Sequence, residues 1–289
     1  MTSLPIFVIA RLTLREATRR RLLLAVVVLT ILLVALSAWG FERLTSLPCG
    51  RGGQPCSPTE TKILAGTLLV LITFMYSFVF TLGAVFVATP AVGTEVESGI
   101  ALAMLPRPIR RSDIILGKWL GWAIIIGGYV IGTTGLEFIA VRVLVGYSPP
   151  EPLPAIAFLF AEALVMLTLG ILFSTRLPSM MGGIIALVFF GLAWMGGIAY
   201  GIGVAFESDV VRNIGFASSV ILPTDVLWRG ALYNIEPTAL LNEAGMSRML
   251  SANPFMTMTP PSPGFLLWSA VWVIGLLALA VLSYERREV

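Results

Sequence analysis

The chain has 289 residues, 57% of them hydrophobic and 12% charged, with a mean hydropathy of +0.92. Soluble domains carry roughly 25% charged residues, so this composition excludes a water-soluble globule and makes lipid the solvent for much of the surface. The net charge of +3 and the pI near 9.1 read as a topology signal rather than as a nucleic-acid surface.

A hydrocarbon core of about 30 Å takes about 20 helical residues. The apolar runs here do not alternate in polarity as barrel strands would. The expected fold class is therefore an all-α integral membrane protein: a single domain over 1–289 with six transmembrane helices. Residues 3–21 read as an amphipathic interfacial helix, with Arg11, Arg15 and Arg19 in one i, i+4 row and Glu16 four residues before Arg20. The first span is 22–41, and an exposed loop, 42–62, follows. That loop holds Cys49 and Cys56, which close a small loop as a disulfide in an oxidising compartment, worth about 2 to 3 kcal/mol. Free thiols are the alternative, and metal binding needs more ligands than two thiols.

The second span is 63–89, and the polar stretch PAVGTEVESGIALAMLPRPIRRSDIILGK follows it. Thr94 with Glu97 three residues on forms a capping box, predicting a short helix over 94–105 that Pro106 and Pro108 stop. Ser112 is the expected cap of the next helix. Further spans are expected at 114–139, 155–173, 183–205 and 264–283. The largest loop, 206–263, has helical patterning at 224–233 and 238–249, read as helices at the outer interface with Trp228 and Tyr233 as headgroup anchors.

Six spans place both termini on one side of the membrane. Under that arrangement 12 of the 19 Lys and Arg fall on the terminal side in the shorter total loop length, so that side is expected to be cytoplasmic. The cysteines then face outward, as a disulfide requires.

The chemistry expected of the chain is limited. There is no His, which removes the commonest general base and zinc ligand. A phosphate-cradling loop reads GxxxxGK followed by Ser or Thr; Gly117-Lys118 is followed by Trp119, with Ser112 where the first glycine belongs. No Asp lies in a predicted span. The expectation is a chain that is not an enzyme and holds no cofactor or metal. Two carboxylates are buried in the pattern, Glu137 near the outer end of the third span and Glu162 about two turns into the fourth. An ionisable group in lipid faces the bundle interior or water, so both are candidate contacts on a transport path. The alternative is an interfacial carboxylate paired with Arg142 or hydrated. Gly128-x-x-x-Gly132 and Gly197-x-x-x-Gly201 allow close helix approach, within the chain or across a dimer seam. Met246, Met249, Met256 and Met258 suggest adaptable apolar contacts.

The sequence resembles the permeases of export-type ABC transporters (the ABC-2 type). The resemblance is carried by Glu95-Val96-Glu97-Ser98-Gly99, Pro108-Ile109-Arg110-Arg111 and Gly117-Lys118, with ARLTLREATRRRLLL at the start and PTDVLWRGALY before the last span. It implies that 94–105 is a coupling helix docking on a separate ATPase, through Thr94, Glu95, Glu97, Ser98, Gly99 and Leu102, with Pro108, Arg110 and Arg111 beside it. It implies that 1–21 is a connecting helix, bearing Arg11, Arg15 and Arg19, and that 206–263 closes the path outside. ATP and Mg would then be bound by two copies of the partner ATPase, and two permease units, an identical pair or two different chains, would meet in a bacterial-type cytoplasmic membrane. The function implied is export of an amphipathic or hydrophobic compound such as a drug, lipid or peptide. The alternative is an ATPase-coupled scaffold or signalling protein that transmits motion without transport.

Overall fold

A computed structural model describes residues 5–19, 21–44, 57–97, 110–236, 257 and 259–286. Among these the protein is all helix: α1 (Pro5–Arg19), α2 (Arg21–Leu44), α3 (Pro58–Glu97), α4 (Arg111–Val145), α5 (Pro152–Ser174), α6 (Ser179–Ala205), α7 (Asp209–Ile221), α8 (Thr224–Ile235) and α9 (Pro263–Glu285). Five of them, α3 to Ala91, α4, α5, α6 and α9, are long and apolar enough to cross a membrane, and α7 with α8 makes a sixth if that bent pair is one broken span. The predicted first span lies inside α2, a helix of 24 residues, about 36 Å at about 1.5 Å per residue. One face of α2, with Val27, Ile31, Leu32 and Leu36, is exposed, as a lipid-facing surface would be.

The core lies where α3 runs alongside α5, with α4 and α6 flanking it. Leu69 and Phe80 of α3, Val130 of α4, and Leu159, Met166 and Ile171 of α5 are fully or almost fully buried. Helix ends follow their sequence signals. Pro152 and Pro263 open α5 and α9, where a missing backbone N–H removes nothing. Gly146 ends α4 at φ 70°, and its N–H bonds the Arg142 carbonyl.

α1 lies on the first turns of α4. Its small residues Ala10, Thr13 and Ala17 are buried, while Arg11 and Arg15 are exposed. The contact depends on glycine: a Cβ at Gly117 would sit 2.7 Å from Ile9 Cβ and one at Gly121 2.8 Å from Thr13 Cβ. Overpacking costs typically about 1–3 kcal/mol. Gly117→Val should therefore free α1 from α4, read as faster proteolysis of residues 5–19 in the purified chain.

Three sequence expectations are corrected here. α3 does not end at Thr89; it continues through Pro90 to Glu97, so Thr94 lies in a last turn rather than at a helix start. A Thr–Glu spacing marks a cap only where the preceding residues leave the helix, and 90–93 stay in it. Pro90 leaves the Phe86 carbonyl without its helical donor; Lys118 Nζ donates to the Ala91 carbonyl instead, which ties α4 to the helix just past the proline. Ser112 does not cap α4, whose N-cap is Arg110. The stretch 206–223 is not loop, because it contains α7.

α7 and α8 meet at 98°. Such a break leaves carbonyls at the end of α7 without helical donors. Two indoles one turn apart on α9 supply them: Trp268 Nε1 donates to Val220 O at 3.0 Å and Trp272 Nε1 to Ile221 O at 2.8 Å. Trp272→Phe keeps an aromatic side chain, smaller than the indole, and removes the donor. It is expected to lower stability by about 1–3 kcal/mol, seen as a lower melting temperature in detergent. Trp268→Phe should cost less, because Trp268 is the more exposed of the two. At its other end α9 is held by Arg111 Nη1, which donates to the Tyr284 and Glu285 carbonyls. Thr175 Oγ1 and Arg176 Nε both bond Ser283 Oγ there.

Candidate functional site

Two buried carboxylates of the bundle interior both find their partners on α3. Ser77 donates its hydroxyl to both oxygens of Glu162 on α5, at 2.9 and 2.8 Å. Tyr76, the preceding residue, donates to Glu137 Oε2 on α4 at 3.1 Å, and Ser37 of α2 lies 2.9 Å from the same oxygen. Glu137 is 0% and Glu162 2% exposed. Glu137 is bonded to Ser37 and Tyr76 rather than to Arg142, which lies exposed in the last turn of α4. Both carboxylates are thus enclosed by the helices, with hydroxyl partners.

Glu162 faces a void of about 10 Å³, room for a single water. Its walls include Phe74, Phe78, Phe190, Trp194 and Trp228. The rings interlock, with Phe74 and Phe78 edge to face at 4.8 Å and Phe74 against Trp228 at 5.5 Å. Trp228 is thus buried in the core, correcting its expected place among the headgroups: α8 folds back against α5 and α6 and carries the indole inward.

Asp225 of α8 lines the same void. Its Oδ2 accepts from Arg229 Nε at 2.8 Å, and Arg229 Nη2 donates to the Gly197 carbonyl of α6 at 2.6 Å. The carboxylate sits where a side chain on α6 would be, since a Cβ at Gly197 would lie 1.8 Å from Asp225 Oδ1. The second glycine motif thus serves packing within the chain at Gly197. A Cβ added at Gly128 or Gly132 would meet no atom within 4 Å among the described residues.

Residues 7–289 match the family model described as ABC-2 family transporter protein. The chain belongs to the ABC-2 transporter family. It is similar, at 27% identity over 98% of its length and 99% of the relative's, to a Pseudomonas aeruginosa protein named "Probable ABC transporter permease protein NosY". It is also 31% identical over 47% of its length to a Stutzerimonas stutzeri protein of the same name, covering 45% of that relative. The chain is an ABC permease subunit and not itself an ATPase; such subunits carry no cofactor, and ATP is bound by a partner ATPase subunit.

Within this ABC-2 permease the structure places the resemblance residues unevenly. Thr94, Glu95 and Glu97 lie on the last turns of α3, Arg110 at the N-cap of α4, and Arg111 opens α4 with its guanidinium bonded to the end of α9. Ser98, Gly99, Leu102 and Pro108 lie outside the described residues, as do Cys49, Cys56, the predicted helix 238–249 and the four methionines. Sequence reasoning missed Ser37, Tyr76, Ser77, Asp225 and Arg229. The Asp225–Arg229 spacing of four was visible, whereas the lone hydroxyls in apolar helices carried no distinguishing signal.

An apolar groove of about 490 Å³ opens between α5, α8 and α9, lined among others by Phe158, Ala161, Val165, Leu227, Leu266 and Val273. Beyond the end of α8, Glu236 is 2% exposed and its carboxylate accepts from Thr257 N at 3.1 and 3.2 Å. Nearby, Tyr147 donates to the Ile235 carbonyl at 2.6 Å. Burial pushes Glu236 up to about 8 against the Thr257 N–H, which pulls the other way, and burial also raises Tyr147. A carboxyl raised in the folded state contributes stability that is complete below its unfolded value near 4.5 and lost as pH rises through about 8. The permease should therefore melt lower at pH 8.5 than at pH 5 through this group, with Glu236→Gln flattening that slope (both pH values are about half a unit from the ends of the window).

Proposed function

We propose that this permease works in an ATP-driven exporter that moves an amphipathic or hydrophobic compound out of the cytoplasm or inner leaflet. Two copies pair and engage two ATPase subunits through 94–105 and the N-terminal helix, with both termini cytoplasmic. Ser77–Glu162 and Tyr76–Glu137 flank the path, and 206–263 closes it outside. The observation that carries the reading is the single helix α3. It runs from Pro58 to Glu97 and bears the partners of both buried carboxylates as well as Thr94, Glu95 and Glu97. Motion imposed at one end of such a rod reaches the interior.

The substrate class is supported by the kind of space present. The polar interior holds room for one water, whereas the larger groove is apolar and lies between candidate spans. The test is reconstitution with its partner ATPase, followed by ATP-driven movement of a fluorescent phospholipid and of a lipophilic cationic dye in liposomes. Flux of either probe that Glu162→Gln changes supports the reading. Hydrolysis without flux of either would favour the force-transmitting scaffold instead.

A further inference from the structure

Four buried side-chain oxygens lack a hydrogen-bond partner among the described residues, and three of them cluster in sequence around one contact. Glu137 Oε1 is one. Thr134 Oγ1 lies three residues before it on α4, and Thr73 Oγ1 lies three residues before Tyr76, which bonds Glu137 from α3. Lipid-embedded helices supply no water to such groups. The two threonine hydroxyls carry hydrogens of their own, so the shortage lies at the carboxylate, whose Oε1 has no donor.

Counting hydrogens locates the deficit. Ser37 Oγ lies 2.9 Å from Glu137 Oε2 and also 2.9 Å from the Val34 carbonyl. A serine hydroxyl has one hydrogen, and a carbonyl and an ionised carboxylate are both acceptors. Tyr76 spends its own hydrogen on Oε2. The three contacts are each served by a full hydrogen only if Glu137 carries one. Then Oε2–H donates to Ser37, Ser37 donates to Val34 O, and Tyr76 donates to Oε2. The spacings of 2.9 and 3.1 Å are hydrogen-bond lengths.

Among the described residues no positive group offers compensation. Of the ionisable residues there on the packed elements, Tyr76 alone touches Glu137. Lys62 stands in the first turns of α3. Glu42 and Arg43 end α2, Arg142 is exposed at the far end of α4, and Tyr129 shares a 2.8 Å hydrogen bond with Thr30. Glu162 of α5 holds Ser77 instead.

We propose that Glu137 is a proton-binding site in the seam between α2, α3 and α4, closed with the proton on and opened as it leaves. α2 is the wall that moves. Thr30 and Ser37, seven residues apart on one face, bond Tyr129 and Glu137 of α4. Loss of the proton removes the donor to Ser37 and leaves a buried carboxylate, so α2 shifts to admit water. This holds whether or not a substrate passes Glu137, and its test needs no transport.

The test uses the full chain in phosphatidylcholine nanodiscs with choline chloride as the salt. Infrared spectra in H2O and D2O should show a neutral-carboxyl carbonyl band that titrates away at high pH. Glu137→Gln should remove that component, Glu162→Gln should leave it, and Ser37→Ala, which takes away the proton's acceptor, should move its frequency without removing it. Hydrogen exchange of residues 21–44, corrected for the intrinsic rate, should rise about tenfold across the same titration in the parent and stay flat in Glu137→Gln. If that variant does not fold, the Ser37→Ala frequency shift decides. A spectrum without the Glu137 component at any pH overturns the proposal. So does protection of α2 that follows sodium chloride at fixed pH, which would make the occupant a hard monovalent cation.

Discussion

Arg229→Ala is expected to destabilise the permease by about 3–5 kcal/mol, the typical result of removing one partner from a buried ion pair. Asp225 is 7% exposed, and Arg229 is the cation that the structure brings to it. Without the guanidinium, Asp225 would share the small void with Glu162, two carboxylates and no cation. The Gly197 carbonyl would also lose its donor, adding an unsatisfied backbone group in the interior. A whole-protein stability of about 5–15 kcal/mol leaves little margin for such a loss. The measurement is detergent-solubilised yield and melting temperature. Asp225→Leu with Arg229→Met is expected to recover most of the loss, because removing both charges together removes the penalty of a lone one. If the single variant melts like the parent, the pair contributes little and α8 is held by its aromatic contacts alone.

The helices as apolar objects were legible in the sequence; their ends and polar contacts were less so. Runs such as 155–173 and 264–283 have no rival reading at that hydropathy, and α5 and α9 extend them by only a few residues. The failures share a cause, which is that tertiary contact overrode a local signal. Pro90 looked like the end of a span, yet α3 continues with Lys118 of α4 bonded to the Ala91 carbonyl. α7 was invisible because Asn213, Gly215, Ser218 and Ser219 are weak helix formers. Its Gly215 lies so close to α6 that a Cβ there would be 2.5 Å from Tyr200 N, a contact no local pattern announces. Glu137 and Glu162 were found because charge in an apolar run is conspicuous. Their hydroxyl partners were not, because Ser37 and Ser77 resemble any small polar residue in a membrane helix until a carboxylate is placed beside them.

That α3 is continuous sharpens what force at its end should do. Ser77 and Glu97 are 20 residues apart on this helix, about 30 Å. A displacement at Glu97 therefore reaches Ser77–Glu162 without crossing a loop, and Pro90 is the one interior position where a backbone N–H is missing. On the proposed docking of 94–105, Glu95→Lys with Glu97→Lys should leave the partner ATPase hydrolysing ATP while ATP-driven flux of the fluorescent phospholipid or the dye falls about tenfold or more, equivalent to about 1.4 kcal/mol of lost coupling. Replacing Val92 by glycine, beside Gly93, should act in the same direction by softening the rod just beyond Pro90, with a smaller effect because the docking charges remain. The two variants separate grip from transmission. Loss in the lysine pair alone places the function in the charges, and loss in both places it in the helix that carries them. Unchanged flux in both would remove α3 as the route by which the motor moves the interior.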